Sequence, residues 1–221
     1  MGTNTNERLK TLLCMAMLTA LAVAADLTLR LPVMFLTYEP KDVILTIGAF
    51  IFGPVAGIVM SLVVCLIEMI TISDTGVIGL LMNFLASAVF IGVSSVIYSR
   101  KKTLSRAVIG LIVGSLSMLF IMLLWNYILT PVFMNTTREA VLELFLPLLI
   151  PFNLLKAALN SALILFLYKG VVTALRKAGL IPVRESNDGD KKKLNTILMI
   201  TISAVLVLTL TLVLLIFAGK L

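Results

Sequence analysis

A chain of 221 residues that is 60% hydrophobic, only 13% charged and formally +7 at neutral pH is too apolar for a soluble fold of this size. Its mean hydropathy of +1.13 comes from apolar runs of helix-spanning length, without the alternation a membrane β-barrel needs, so the chain is read as an all-α integral membrane protein. The absence of histidine removes histidine-based triads, zinc proteases and haem ligation, and the absence of a Walker loop removes direct ATP binding of that kind.

The basic residues lie mostly in short connections, where they report topology; no nucleic-acid partner is expected. The first helix is predicted from about Glu7 to Leu29. Arg8 and Lys10, an apolar stretch and Ala22-Val23-Ala24 have the outline of a cleaved signal peptide. Spans continue throughout the chain, however, and an uncleaved first helix fits better. Within it Ala16, Ala20 and Ala24 form a small-residue stripe that allows close helix docking, either inside this protein or on a partner. Cys14 and Cys65 lie in apolar runs and suggest neither a disulfide framework nor a metal site.

Residues 30–41, with Pro32, Pro40, Tyr38 and mixed charges, suit a loop folded over a cavity. The apolar region 43–70 is interrupted at Gly53-Pro54, which predicts a short span at about 42–52 and a fuller one at 54–71. After the polar turn from Ser73 to Gly76, spans are predicted at 77–98 and at about 107–130, the latter ending before Pro131. Residues 136–146 read as a capped amphipathic surface helix. Pro147 and Pro151 open a further helix that continues to about Tyr168. Residues 184–193 form a polar linker, and 194–218 are a last apolar run that would add one anchoring span. The predicted organisation is a membrane domain over 1–183, a linker over 184–193 and an additional transmembrane helix within 194–221.

With the N-terminus inside and seven spans, thirteen of the eighteen Lys and Arg residues fall on the cytoplasmic side, as the positive-inside tendency requires. The C-terminus then lies outside. Reading 43–70 as one span with the N-terminus outside keeps the later loops in place but puts Arg8 and Lys10 outside.

Five polar residues then collect in the outer half of the bundle: Glu68, Asn83, Asn126, Asn153 and Lys156. Asn153, Lys156 and Asn160 recur at i, i+3, i+7 and share one helix face. A lysine at bilayer depth is unfavourable by about 2.5–3.5 kcal/mol unless it pairs or meets a ligand. Carboxamides offer paired donors and acceptors to an amide- or imide-bearing ring, and Tyr38, Trp125, Tyr127 and Phe152 could flank such a ring. The inner half holds no comparable set, which suits a pocket better than a channel. The bland alternative is that the asparagines are interhelical bonds worth about 0.6 kcal/mol each and that Lys156 pairs with Glu68.

These residues carry a resemblance. Leu36 to Val43, Gly48 to Pro54, Ile67-Glu68-Met69, Ser73 to Gly76, Leu123 to Tyr127 and Pro151 to Lys156 are similar to the substrate-binding S components of energy-coupling-factor vitamin transporters, and among them to the riboflavin-specific type. The likeness covers about residues 8–178. It implies a six-helix bundle, here with one extra C-terminal helix, and an outer pocket capped by the first loop. It also implies riboflavin as transported ligand, with no cofactor, and Asn126, Asn153 and Lys156 on the polar edge of the isoalloxazine ring. The alanine stripe resembles the surface on which the family docks its transmembrane coupling subunit, itself driven by two ATPases. The rival expectations are a binder of FMN, biotin or thiamine, and a lipid-modifying membrane enzyme using Glu68 or Asp74.

Overall fold

The computed structural model describes residues 2–33, 35–73 and 75–180, with scattered positions between 201 and 213. Helix α1 (Gly2–Leu29) leads into a two-stranded antiparallel hairpin, β1 (Leu31–Val33) and β2 (Leu36–Tyr38). There follow α2 (Lys41–Phe52), α3 (Pro54–Thr71), α4 (Gly76–Ser99), α5 (Leu104–Met134), the short α6 (Arg138–Glu143), a π-helical turn at Phe145–Leu149 and α7 (Ile150–Lys177). Among the described residues five helices are long and apolar enough to cross a membrane. The remaining core helix, α2, has twelve residues and so a length of about 18 Å, well short of a hydrocarbon core of about 30 Å. The predicted linker at 184–193 and most of the last apolar run lie outside the described residues.

Helix α2 is the centre of the bundle. It packs against α1, α3, α4 and α7, and its Val43, Leu45, Ile47, Ala49 and Phe50 are all buried. Around them stand Leu18 and Ala22 of α1, Met60 and Val64 of α3, Phe90 and Ile91 of α4, Leu111 and Met118 of α5, and Ile164 of α7. Because α2 is short, its N-terminus stops inside the bundle, beneath the hairpin. Lys41 and Asp42 are therefore buried although they begin a helix.

The break between α2 and α3 falls where covalent geometry requires it. Gly53 adopts φ 103° and ψ 167°, a region open essentially to glycine, and Pro54 supplies the preset φ of a first helical residue. Close approach needs glycine between α4 and α5. A Cβ on Gly110 would stand 2.6 Å from the Ser94 carbonyl oxygen, and one on Gly114 2.9 Å from that of Phe90.

Four local expectations are revised. Residues 31–38 form a hairpin rather than a plain loop. Helix α5 does not stop at Thr130; it runs through Pro131 to Met134 and ends on Asn135 in the left-handed conformation, φ 49°. Pro131 lies in the last turn, so the one intrahelical bond it removes, to the Tyr127 carbonyl, leaves little helix beyond it to disrupt, and its own carbonyl accepts from the Asn135 and Thr136 N–H groups. The amphipathic segment after Thr137 is only one helix of six residues, with the Thr137 hydroxyl accepting from the Ala140 N–H at 3.3 Å. Pro147 then forces the π turn, in which the Leu149 N–H donates to the Leu144 carbonyl at 2.9 Å. Helix α7 passes Tyr168 and continues to Lys177, with Arg176 and Lys177 favourably placed at its negative end.

At the end of α2 away from the hairpin, Phe50 stacks on Tyr98 at a centroid distance of 4.3 Å, Tyr168 meets both rings edge-on, and the two tyrosine hydroxyls lie 2.7 Å apart. This aromatic cluster fills the bundle at the end opposite the buried charges.

Candidate binding site

The hairpin covers a cavity of about 550 Å³, lined from α1, the turn between α3 and α4, α4, α5 and α7 as well as from the hairpin itself. That is within the range of small-molecule sites. Four of the predicted polar residues meet on it: Asn83, Asn126, Asn153 and Lys156, together with Phe152. Glu68, Asn160, Tyr38 and Trp125 are not on its lining. Phe35 and Phe133 supply aromatic wall in place of Tyr38 and Trp125. Thr37, Thr75 and Thr130 add hydroxyls, and Asp26 and Arg30 add charge.

The two central asparagines are held by their own helices. The Asn126 amide donates to the Met122 carbonyl at 2.7 Å, while its Oδ1 accepts from the Thr130 hydroxyl at 2.9 Å. The Asn153 amide donates to the Leu149 carbonyl at 2.8 Å. Each of these cavity-lining carboxamides thus has one donor spent on orientation, which fixes the rotamer before any ligand arrives.

Lys156 does not pair with Glu68. Its Nζ donates to Glu39 Oε2 at 2.9 Å and lies 3.9 Å from Asp42 Oδ2. Glu68 instead pairs with Lys41, whose Nζ is also 3.4 Å from Glu39 Oε2. The Asn83 amide donates to Glu39 Oε1 at 2.5 Å. Asp42 accepts from the Ser87 hydroxyl at 2.5 Å and from the Asn160 amide at 3.5 Å. Asn160 therefore supports the site from one layer below the cavity. All six buried charged side chains among the described residues, Asp26, Glu39, Lys41, Asp42, Glu68 and Lys156, belong to this cluster.

Glu39 is its hub. It sits between β2 and α2 and is fully buried. Burial by itself would raise its carboxyl, but the ammoniums of Lys156 and Lys41 overcome that and hold it down at about 2. Burial also pushes the neighbouring Tyr38 phenol up to about 12, with the Asp42 charge adding to the effect. One oxygen each of Asp26, Glu39 and Glu68 lie within 4.8 Å of one another. Lys41 already neutralises two of the three, which disfavours a metal there.

Sequence reasoning missed Asp26, Arg30 and Glu39. Asp26 and Arg30 stand near the predicted end of the first helix, where charge is ordinary. Glu39 is 117 residues from Lys156, and only the tertiary fold joins them. A usable signal was the triplet Glu39, Lys41, Asp42 at the start of a helix that is otherwise apolar but for Thr46. The stripe of Ala16, Ala20 and Ala24 is exposed along α1, while Cys14, Leu18, Ala22 and Asp26 point inward.

Comparison with known proteins bears on this geometry. The family of ECF transporter substrate-specific components matches residues 10–168. The riboflavin transporter RibU of Staphylococcus aureus (strain TCH60) is 29% identical over 179 residues, covering 76% of this chain and 93% of that protein. A solved structure of the S component of a bacterial ECF transporter superposes with a TM-score of 0.65 at 29% identity, over 76% of this chain and 98% of the other.

Proposed function

We propose that this chain, which belongs to the substrate-specific components of ECF transporters, captures riboflavin in the cavity beneath the hairpin for uptake driven by a partner module. As a member of that family it is a multi-pass membrane protein that binds a substrate and is not an enzyme. In the proposed pose Asn126, Asn153 and Lys156 take the polar edge of the isoalloxazine ring, Asn83 and Thr37 bound the cavity, and Phe35, Phe133 and Phe152 lie against the ring. The observation that carries the reading is the meeting of two oriented carboxamides and a buried ammonium on one aromatic-walled cavity. The name of the S. aureus relative supports riboflavin over the other vitamins.

The partner module in this reading is a transmembrane coupling subunit with two ATPases, docked on the exposed alanine stripe of α1. The cavity opens outward with the N-terminus in the cytoplasm, the hairpin closes over bound ligand, and the segment after the 184–193 linker adds a membrane anchor. Glu68 and Asn160 act by holding Lys41 and Asp42, with Tyr38 and Trp125 outside the contact set.

The test is the absorption spectrum of the purified full chain, with mass analysis of any compound released from it. Flavin absorbance is expected to co-purify and the released mass to be that of riboflavin rather than FMN. Asn153→Ala and Lys156→Ala are each expected to weaken riboflavin binding at least about tenfold, or about 1.4 kcal/mol. Parent-like binding by both variants, or displacement of the flavin by thiamine or biotin, would overturn the assignment.

A further inference from the structure

Resting on the flavin reading, we propose that Asp26 is the acceptor for the hydroxyl-bearing side chain of the bound flavin and so determines which flavins the pocket prefers. Asp26 is on the inward face of α1, fully buried, and lines the cavity. Neither of its carboxylate oxygens accepts from an N–H or a hydroxyl of the described residues; the side chain that engages it is the neighbouring Glu68 carboxyl. Of the other buried carboxylates, Glu39 is matched by Lys156 and Asn83 and Asp42 by Ser87 and Asn160, while Glu68 has Lys41 on one oxygen and no N–H or hydroxyl donor on Oε1. Asp26 alone among them has no ammonium, amide or hydroxyl on either oxygen.

Its nearest charged neighbours do not fully relieve it. The Glu39 oxygen within 4.8 Å is an acceptor too, the Glu68 carboxyl can offer at most one shared proton, and both lysines of the cluster are already engaged elsewhere. A buried carboxylate with so few donors is disfavoured, and a ligand that brings more stabilises it. Asn126 and Asn153, on α5 and α7, take the ring in the flavin reading, whereas Asp26 comes from α1. The ring-bound polyol of riboflavin, unlike the ring itself, carries several O–H donors on a flexible chain. Adjacent hydroxyls can both donate to one carboxylate, in short charge-assisted bonds. The cavity therefore separates two kinds of recognition: carboxamides for the ring edge and a carboxylate for the polyol.

The experiment compares riboflavin with lumiflavin, which has the same ring and a methyl group in place of the polyol, on the purified full chain and on Asp26→Asn. The parent is expected to prefer riboflavin by at least tenfold. Asp26→Asn is expected to lose about ten- to a hundredfold in riboflavin affinity and to hold lumiflavin within about threefold. Asp26→Ser, smaller and also uncharged, is expected to do the same and serves if Asp26→Asn does not fold. Equal losses for the two flavins would make Asp26 a purely structural residue and overturn the proposal, as would an unchanged riboflavin preference in the variants. A parent that binds riboflavin and lumiflavin equally overturns it while leaving the flavin reading intact. A parent that binds neither overturns both.

Discussion

Without Glu39, Lys156 would present an ammonium to a dry bundle interior with only the Asp42 carboxylate, 3.9 Å away, to offset its desolvation. Removing one member of a buried ion pair is destabilising by about 3–5 kcal/mol because the other charge is left behind. Glu39→Gln keeps an acceptor oxygen in place, so the lower end of that range is expected, read as a fall in the melting temperature of the detergent-solubilised chain. The pH dependence has a definite sign. The Glu39 carboxyl falls from an ordinary 4.5 to about 2 on folding, so its stabilising contribution is complete above pH 4.5 and is lost as pH drops toward 2. The gap in melting temperature between parent and Glu39→Gln should thus stay level from about pH 5 to 8 and narrow below about pH 4.5. A gap that widened on acidification would mean that Glu39 is not the ionised partner of Lys156.

At the scale of elements, the α2–α3 joint can be tested on its own. Gly53, at φ 103° and ψ 167°, has no neighbouring atom within 4 Å of where a Cβ would stand. Any penalty for Gly53→Ala is therefore conformational rather than steric, about 1–3 kcal/mol. The expected result is a lower melting temperature with riboflavin affinity within twofold of the parent, since Gly53 lies at the far end of α2 from the cavity. This joint was legible in the sequence because glycine and proline act through their own covalent geometry. So were Asn83, Asn126, Asn153 and Lys156, since a carboxamide or amine in an apolar run is conspicuous wherever it later packs. Pro131 misled the prediction of helix α5, because the rule that proline ends a helix does not say how many turns remain. The pairing of Lys156 with Glu39 was illegible for a different reason. Glu68 and Glu39 are equally plausible partners along the chain, and the choice is made by the depth at which a twelve-residue α2 stops inside the bundle.

For the whole molecule the decisive asymmetry is that buried charge occupies one end of α2 and the Phe50, Tyr98 and Tyr168 cluster occupies the other. A continuous polar path is what a pore or self-sufficient carrier needs; a pocket over an aromatic floor offers none, which fits the proposed reliance on a partner module. Helix α1 is placed to connect the two tasks. Its inward face contributes Asp26 to the cavity, and its outward face carries Ala16, Ala20 and Ala24 in an otherwise bulky surface of Leu13, Met17, Leu21 and Leu27. Small residues let a second helix approach to backbone contact, where packing supplies most of the association energy available in lipid. A bulky side chain in the middle of the stripe should hold that helix off without touching the cavity. Ala20→Trp is accordingly expected to leave riboflavin binding by the isolated chain within twofold. Uptake into vesicles or cells that contain the coupling subunit and its ATPases should fall at least tenfold, with loss of co-purification of the coupling subunit. Uptake at the parental rate would move the docking surface off α1, whereas a parallel loss of binding would mean that α1 supports the pocket and not the partner.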